Sequence, residues 1–194
     1  MKLILKYFDY FVMFFIACFF HILYSNLGYN PTDDGWLLAF SKRIYLGQIP
    51  HLDFISVRPA GSPLLHLPTL LFAQENLYIF SRFIVWIQFV TINFIWIKII
   101  FQNPNTKISK KNIISLAIIS TMLSAHTFPI MVWTTIDGVF CSLIGLFIII
   151  RIQKYKTIGY FFIGFAYLCK QSFLLLPFVI LWALRDWQKK KYIF

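Results

Sequence analysis

Long apolar stretches separated by short polar segments dominate the chain. A helix that crosses a membrane needs about 20 apolar residues, and several of these stretches reach or approach that length. They predict membrane segments at residues 7–26, 82–101, 112–130 and 137–150, followed by a longer apolar stretch at residues 157–187. The pattern therefore predicts an all-α, polytopic membrane protein.

The last stretch, residues 157–187, is long for one membrane helix and short for two. A helical hairpin with its turn near Lys170 and Gln171 brings both basic flanks of the stretch to the same membrane face. Residues 64–80 are also apolar, but His66, Pro68, Gln74, Glu75 and Asn76 interrupt them. We predict an interfacial or re-entrant helix there, which gives about six membrane segments in one transmembrane domain, residues 1–194.

Positive charge is concentrated beside one end of the predicted segments. The formal net charge is +11, and the segments on the other side carry cations and acids in nearly equal number. Cytoplasmic loops hold the excess of Lys and Arg in membrane proteins. We therefore predict a multi-pass protein of a bacterial inner membrane with both termini cytoplasmic, and no nucleic-acid partner. The basic groups are Lys2 and Lys6; Lys98, Lys107, Lys110 and Lys111; Arg151, Lys154 and Lys156; and Arg185, Lys189, Lys190 and Lys191.

The first loop on the outer side, residues 27–80, begins with a polar segment that is rich in acid. It contains Asp33, Asp34 and Asp53, three of the seven acidic residues of the chain. An acid between membrane segments has two interpretations, since it either carries chemistry or caps a helix or turn.

A short helix is predicted directly after the Asp pair. Thr32 is a suitable N-cap, and it places both aspartates in the first turn, where the helix dipole favours anions. Apolar residues then recur at helical spacing, and Gly47 followed by Pro50 ends the pattern. The segment predicts an amphipathic helix on the outer membrane surface. Helix capping alone explains an Asp pair at this place, so that structural alternative stays open.

A longer pattern starts at Asp33, where the chain reads DDGW-x(10)-G-x-x-P-x-x-DF-x(4)-P-x-G, with His51 where Tyr is common. It resembles the first extracytoplasmic loop of the C-type integral-membrane glycosyltransferases. These enzymes use polyprenyl-phosphate sugars and include protein mannosyltransferases and the aminoarabinose transferases of lipid A. Arg82, Asp137 and the Lys170-Gln171 pair also stand where such enzymes often carry those residues.

The resemblance implies transfer of a sugar from a polyprenyl-phosphate donor to a glycan, lipid or protein acceptor, with inversion at the anomeric carbon. Asp33 matches the first acid of the family's pair and is expected to be the general base. Asp34 would orient the acceptor or help to hold a divalent cation, Mg²⁺ or Mn²⁺. Arg58 and Lys170, with Arg82 next, would stabilise the leaving phosphate. No other cofactor is implied.

Three further residues complete the candidate substrate-binding set, and each residue of the set also has a structural interpretation. Lys170 is also explained as a cation that extends to the interface, and Arg58 and Arg82 as contacts to lipid headgroups. The three further candidates are Asp53, which would cap a turn or pair with Arg58, Asp137, which would cap a helix after Thr134 and Thr135, and Gln171.

The sequence therefore leaves two classes of function open. The first is a glycosyltransferase of cell-envelope polysaccharide biosynthesis; the second is a non-catalytic carrier or assembly subunit that binds lipid-linked sugars. An ion transporter has less support, because the predicted segments contain no acidic residue deep in the membrane. Members of the resembled family carry further membrane segments, so we expect this chain to be the N-terminal part of a longer family fold.

Overall fold

The computed structural model describes residues 2–28, 30–73, 75–101 and 108–188, without the side chains of residues 2–7, 31 and 187. This part of the chain is helical and contains no strand, which confirms the all-α prediction. Among the basic residues that the sequence places at the cytoplasmic side, Lys107, Lys189, Lys190 and Lys191 lie outside the described residues.

Nine α-helices follow one another within the described ranges. They are α1 Lys2–Tyr24, α2 Trp36–Tyr45, α3 Gly61–Leu65, α4 Leu67–Phe72, α5 Leu77–Phe101, α6 Lys110–Thr127, α7 Thr134–Arg151, α8 Lys156–Cys169 and α9 Leu176–Ala183. A π-helical turn, Pro31–Gly35, leads into α2, and one-turn 3₁₀ segments flank α8 and follow α9.

The long helices overlap the predicted membrane segments, although most of them start a few residues earlier. By length and composition, α5 and α7 are apolar and long enough to cross a membrane. Shorter apolar helical stretches occupy Phe8–Tyr24 and Gln171–Ala183.

Ion pairs join the helices at one end of the bundle. Lys98 at the end of α5 lies 2.8 Å from Asp9 near the start of α1, so these two helices are antiparallel. Lys156 at the start of α8 lies 2.5 Å from Asp186, which follows α9. The segments 156–169 and 176–183 therefore run in opposite directions, with their turn directly after Cys169.

The opposite end of the bundle, which we call the polar end, carries the residues of the first loop. The end of α1, the starts of α5 and α7 and the end of α8 meet there, and α2, α3 and α4 contact them. His66, between α3 and α4, is fully buried and lies 3.1 Å from Asp137 in the first turn of α7. The α3–α4 segment thus reaches into the bundle and does not cross it.

Close approach of α7 and α8 depends on two glycines. A Cβ atom on Gly145 would lie 2.5 Å from the carbonyl oxygen of Gly159, and one on Gly159 would lie 2.7 Å from that of Gly145. Small residues that let two helix backbones touch are a common means of helix association in membranes. On the other side of the bundle, α1 packs on α5 through a stack of Phe20 and Trp86 with ring centroids 5.1 Å apart.

We predict that Gly145→Ala destabilises the protein by about 1–3 kcal/mol, because the added methyl group overlaps a backbone atom that cannot move alone. Gly164→Ala in α8 is the matched control, since nothing lies within 4 Å of its Cβ position. Thermal unfolding in nanodiscs measures both, and equal midpoints for Gly145→Ala and the unchanged chain would contradict the close approach.

Candidate functional site

The Asp pair lies in the π-helical turn before α2, and Asn30 caps this turn. The Asn30 side-chain oxygen accepts hydrogen bonds from the backbone N–H of Thr32 at 3.0 Å and of Asp33 at 3.4 Å. The expectation that Thr32 is the cap is therefore wrong, and the cap lies two residues earlier. Because Pro31 follows the cap directly, its missing N–H costs no hydrogen bond there.

Asp34 is fully buried and is held by two donors from distant parts of the chain. Its Oδ1 accepts a hydrogen bond of 2.6 Å from the backbone N–H of Val132, in the connection between α6 and α7. Its Oδ2 lies 3.3 Å from Nη2 of Arg82. Both carboxylate oxygens thus have protein partners, and the contacts favour a structural role for Asp34.

Arg82, in α5, joins the same network to the end of α1. Its Nη1 donates to the carbonyl oxygens of Leu27 at 2.5 Å and Ser25 at 3.4 Å. The guanidinium lies 4.5 Å from the ring centroid of Tyr78, whose hydroxyl donates to the carbonyl oxygen of Gly28. The sequence also allowed Arg82 to contact lipid headgroups. In the structure Arg82 is buried, and its partners are groups of the protein.

Asp33, in contrast, has a partly exposed side chain that faces a cation. Its carboxylate lies 3.8 Å from Nη1 of Arg58, and the side chains are 27% and 40% exposed, respectively. Arg58 also donates to the hydroxyl of Thr134 at 3.3 Å and lies 5.2 Å from the ring centroid of Trp36. Of the two aspartates, Asp33 is therefore the one that an acceptor can reach.

Lys170 binds Thr135, the residue that follows Thr134 in the chain. Its Nζ donates to the hydroxyl of Thr135 at 2.7 Å and lies 5.7 Å from the ring centroid of Trp133. Thr134 and Thr135 are consecutive residues in the first turn of α7, so that one turn holds both Arg58 and Lys170. We call Asp33, Arg58, Thr134, Thr135 and Lys170 the Asp33 cluster.

Gly61 allows the first loop to reach this place. A Cβ atom on Gly61 would lie 2.4 Å from the carbonyl carbon of Leu168 and 2.7 Å from the nitrogen of Cys169. The start of α3 thus rests on the backbone of the last turn of α8. Directly after that turn, Lys170 adopts an extended conformation, with φ −153 and ψ 131, and leaves the helix. Packing of the first loop against the last turn of α8, directly before Lys170, therefore needs the glycine of the P-x-G sequence.

A second set of polar side chains, all of them buried, contacts Asp137. Its Oδ1 accepts a hydrogen bond of 2.7 Å from Nε2 of Gln88 and lies 3.1 Å from Nε2 of His66. The described contacts of the Asp137 side chain are therefore outside the Asp33 cluster, although Asp137 lies in the same first turn of α7 as Thr134 and Thr135. Sequence reasoning missed His66 and Gln88, and the available signal was their position as polar residues within apolar segments.

The two other candidates, Asp53 and Gln171, are not part of the cluster's described contacts. The Asp53 side chain accepts a hydrogen bond of 2.6 Å from the backbone N–H of Ile49, and its own N–H donates to the Ile49 carbonyl at 2.9 Å. These two hydrogen bonds agree with the alternative in which Asp53 caps a turn. Gln171 is exposed in the 3₁₀ turn directly after Lys170.

The Asp33 cluster combines one accessible carboxylate, two cations and two hydroxyl groups. A carboxylate can accept a proton from an attacking hydroxyl group, and cations can stabilise a phosphate. Among the described residues, no group of three or more His, Cys, Asp or Glu side chains is arranged to hold a metal ion. The divalent cation at Asp34 stays a prediction from the family resemblance.

No family model, curated protein or solved structure matches the chain. The resemblance to a glycosyltransferase family therefore stays a prediction from the loop pattern.

We predict losses of stability of very different size for the two neighbouring aspartates. Asp34→Asn removes the charge partner of buried Arg82 and should cost about 3–5 kcal/mol. Asp33→Asn removes a partly exposed ion pair and should cost less than about 1 kcal/mol. Chemical denaturation of the two variants measures the difference, and equal losses would contradict the assignment of Asp34 as the structural residue.

Proposed function

We propose that the chain transfers a sugar from a polyprenyl-phosphate donor to a hydroxyl-bearing acceptor at the outer face of a bacterial inner membrane. Asp33 is the general base, and Arg58 and Lys170 bind the phosphate of the donor. The observation that carries the proposal is the Asp33 cluster itself, in which an accessible carboxylate pairs with Arg58, and the first turn of α7 binds both Arg58 and Lys170.

Exposed apolar side chains support the membrane part of the proposal. One face of α1 presents Phe11, Phe15, Phe19 and Ile22, and Phe15 is 68% exposed. Soluble proteins rarely leave such a continuous apolar stripe in water, whereas a bilayer solvates it. With the six segments proposed from the sequence, these residues face lipid.

The two ends of the bundle support the proposed orientation. The end that carries Lys98, Arg151 and Lys156 also holds the start of α1, and basic residues mark the cytoplasmic side. The polar end then lies outside, at the depth where a lipid-linked sugar presents its head.

The proposed reaction is a single displacement. The acceptor oxygen attacks the anomeric carbon and gives its proton to the carboxylate of Asp33. The bond between the anomeric carbon and the phosphate oxygen breaks, and its electron pair stays on the polyprenyl phosphate. Arg58 and Lys170 stabilise the charge that grows on this leaving group. Attack opposite the leaving group inverts the anomeric centre.

The test of the base is transfer by Asp33→Asn in nanodiscs, with a panel of radiolabelled hexosyl-phosphoryl polyprenols as donors and cell-envelope lipid extract as acceptor. We expect turnover to fall by about 10²–10⁴-fold, the usual contribution of a general base. Glu75→Gln, an exposed acid before α5, is the matched control and should keep its activity. Full activity of Asp33→Asn would contradict the assignment.

The cations have a separate test. We expect Lys170→Gln to lower turnover by about 10²–10³-fold. This is the usual loss when an enzyme is deprived of one group that stabilises the charge of the transition state. Lys42→Gln, an exposed cation of α2, should have no effect. Unchanged turnover in Lys170→Gln would exclude Lys170 from phosphate binding.

The same experiments separate the enzyme from a carrier or assembly subunit. A carrier would bind the donor through Arg58 and Lys170, and the unchanged chain would release no sugar from it with any donor of the panel. That result would favour the non-catalytic alternative.

A further inference from the structure

A cavity of about 560 Å³ lies at the polar end, between the ends of α1 and α6 and the start of α5. Its volume is within the range of ligand pockets, about 300–1,000 Å³. Most of its wall is apolar, aromatic or sulfur-containing: Phe20, Tyr24, Trp86, Met122, Ile130 and Met131. Methionine side chains adapt to irregular apolar ligands, so this wall suits a flexible hydrocarbon chain.

The rest of the cavity wall is polar but carries little net charge. Asn30, Arg82 and His126 line it, and the charge of Arg82 is compensated by Asp34. This part of the wall therefore suits uncharged oxygen atoms, such as the hydroxyl or ether groups of a sugar or alcohol, whereas a buried phosphate would need an additional cation.

The cavity and the Asp33 cluster share a thin wall. Asn30 and Met131 line the cavity, and Asp33 and Thr134, three residues further along each segment, belong to the cluster. The Asn30 amide donates to the Met131 sulfur at 3.4 Å, and Asp34 joins the same two segments through Val132. These two segments therefore separate a head group in the cavity from the proposed base.

Side chains at the mouth of the cavity are exposed where the proposed orientation places the outer leaflet. Tyr24 is 48% exposed and Met122 is 54% exposed. An apolar chain can enter sideways from lipid between α1 and α6. A glycan or protein segment without such a chain has no reason to occupy an apolar cavity that opens in this direction.

We propose that this cavity binds the acceptor, and that the acceptor is an uncharged amphiphile with one apolar chain and a hydroxyl-bearing head. The role as acceptor depends on the proposed function, whereas the binding of such a lipid does not. The charged end of the donor then lies at Arg58 and Lys170, so the hydroxyl group of the acceptor must extend past Asn30 and Met131 to meet it beside Asp33.

The test uses a photoreactive alkyl glucoside in nanodiscs that contain the unchanged chain, with mass spectrometry of the labelled peptides. We expect labelling of peptides from the end of α1 and the end of α6. Two competitors distinguish the chemistry: an alkyl phosphate of the same chain length should compete weakly, and free glucose should not compete.

Matched variants connect the labelling to the cavity. Ala125→Phe fills the cavity from α6 and should lower labelling about tenfold, the effect of about two displaced methylene groups. Ala183→Phe, at an exposed position of α9, should leave it unchanged.

Three results would overturn the proposal: labelling elsewhere on the chain, equal labelling of Ala125→Phe and Ala183→Phe, or competition by the alkyl phosphate as strong as by unlabelled glucoside. The last result would assign the cavity to an anionic lipid. Full sugar transfer by Asp33→Asn would instead contradict the proposed function, and the labelling pattern would still report lipid binding.

Discussion

The ion pair of Asp34 and Arg82 is the interaction on which the polar end of the bundle depends. It joins the first loop to α5, while Asp34 also accepts the N–H of Val132 and Arg82 donates to the carbonyl oxygen of Leu27. A buried charge that loses its partner costs several kcal/mol, so neither residue can leave the other in the folded state. The segment after α1, the turn that contains Asp34, α5 and the connection between α6 and α7 are fixed together in this way.

The position of the chemical groups follows from that network. Since Val132 is held by Asp34, the first turn of α7 begins at a fixed place two residues later, and its two threonines can hold Arg58 and Lys170. Asp33 takes its position from the same turn as Asp34 but points to the accessible side. The Asp33 cluster has more cations than carboxylates, which is the balance that a leaving phosphate requires.

The helical class and the importance of the acidic loop were predictable from the sequence, because apolar length and local polarity carry that information. The difference in burial between Asp33 and Asp34 was not, because the residues are chemically identical neighbours, and Val132, whose N–H binds Asp34, is 98 positions from Asp34 in the chain. Asn30 replaced Thr32 as the cap because two suitable side chains compete locally. His66 and Gln88 gave only a weak signal, since each has its partner in a different helix.

The shared wall between the cavity and the Asp33 cluster sets a physical limit on the reaction. Asn30 to Asp34 and Met131 to Thr135 form this wall, and the hydrogen bond from Val132 to Asp34 holds them together. A compensated ion pair lies on the cavity side, whereas Arg58, Lys170 and Asp33 leave a net positive charge on the cluster side. The cluster therefore attracts a phosphate and the cavity suits an uncharged head, and the proposed proton transfer requires the acceptor hydroxyl to extend past the wall to Asp33.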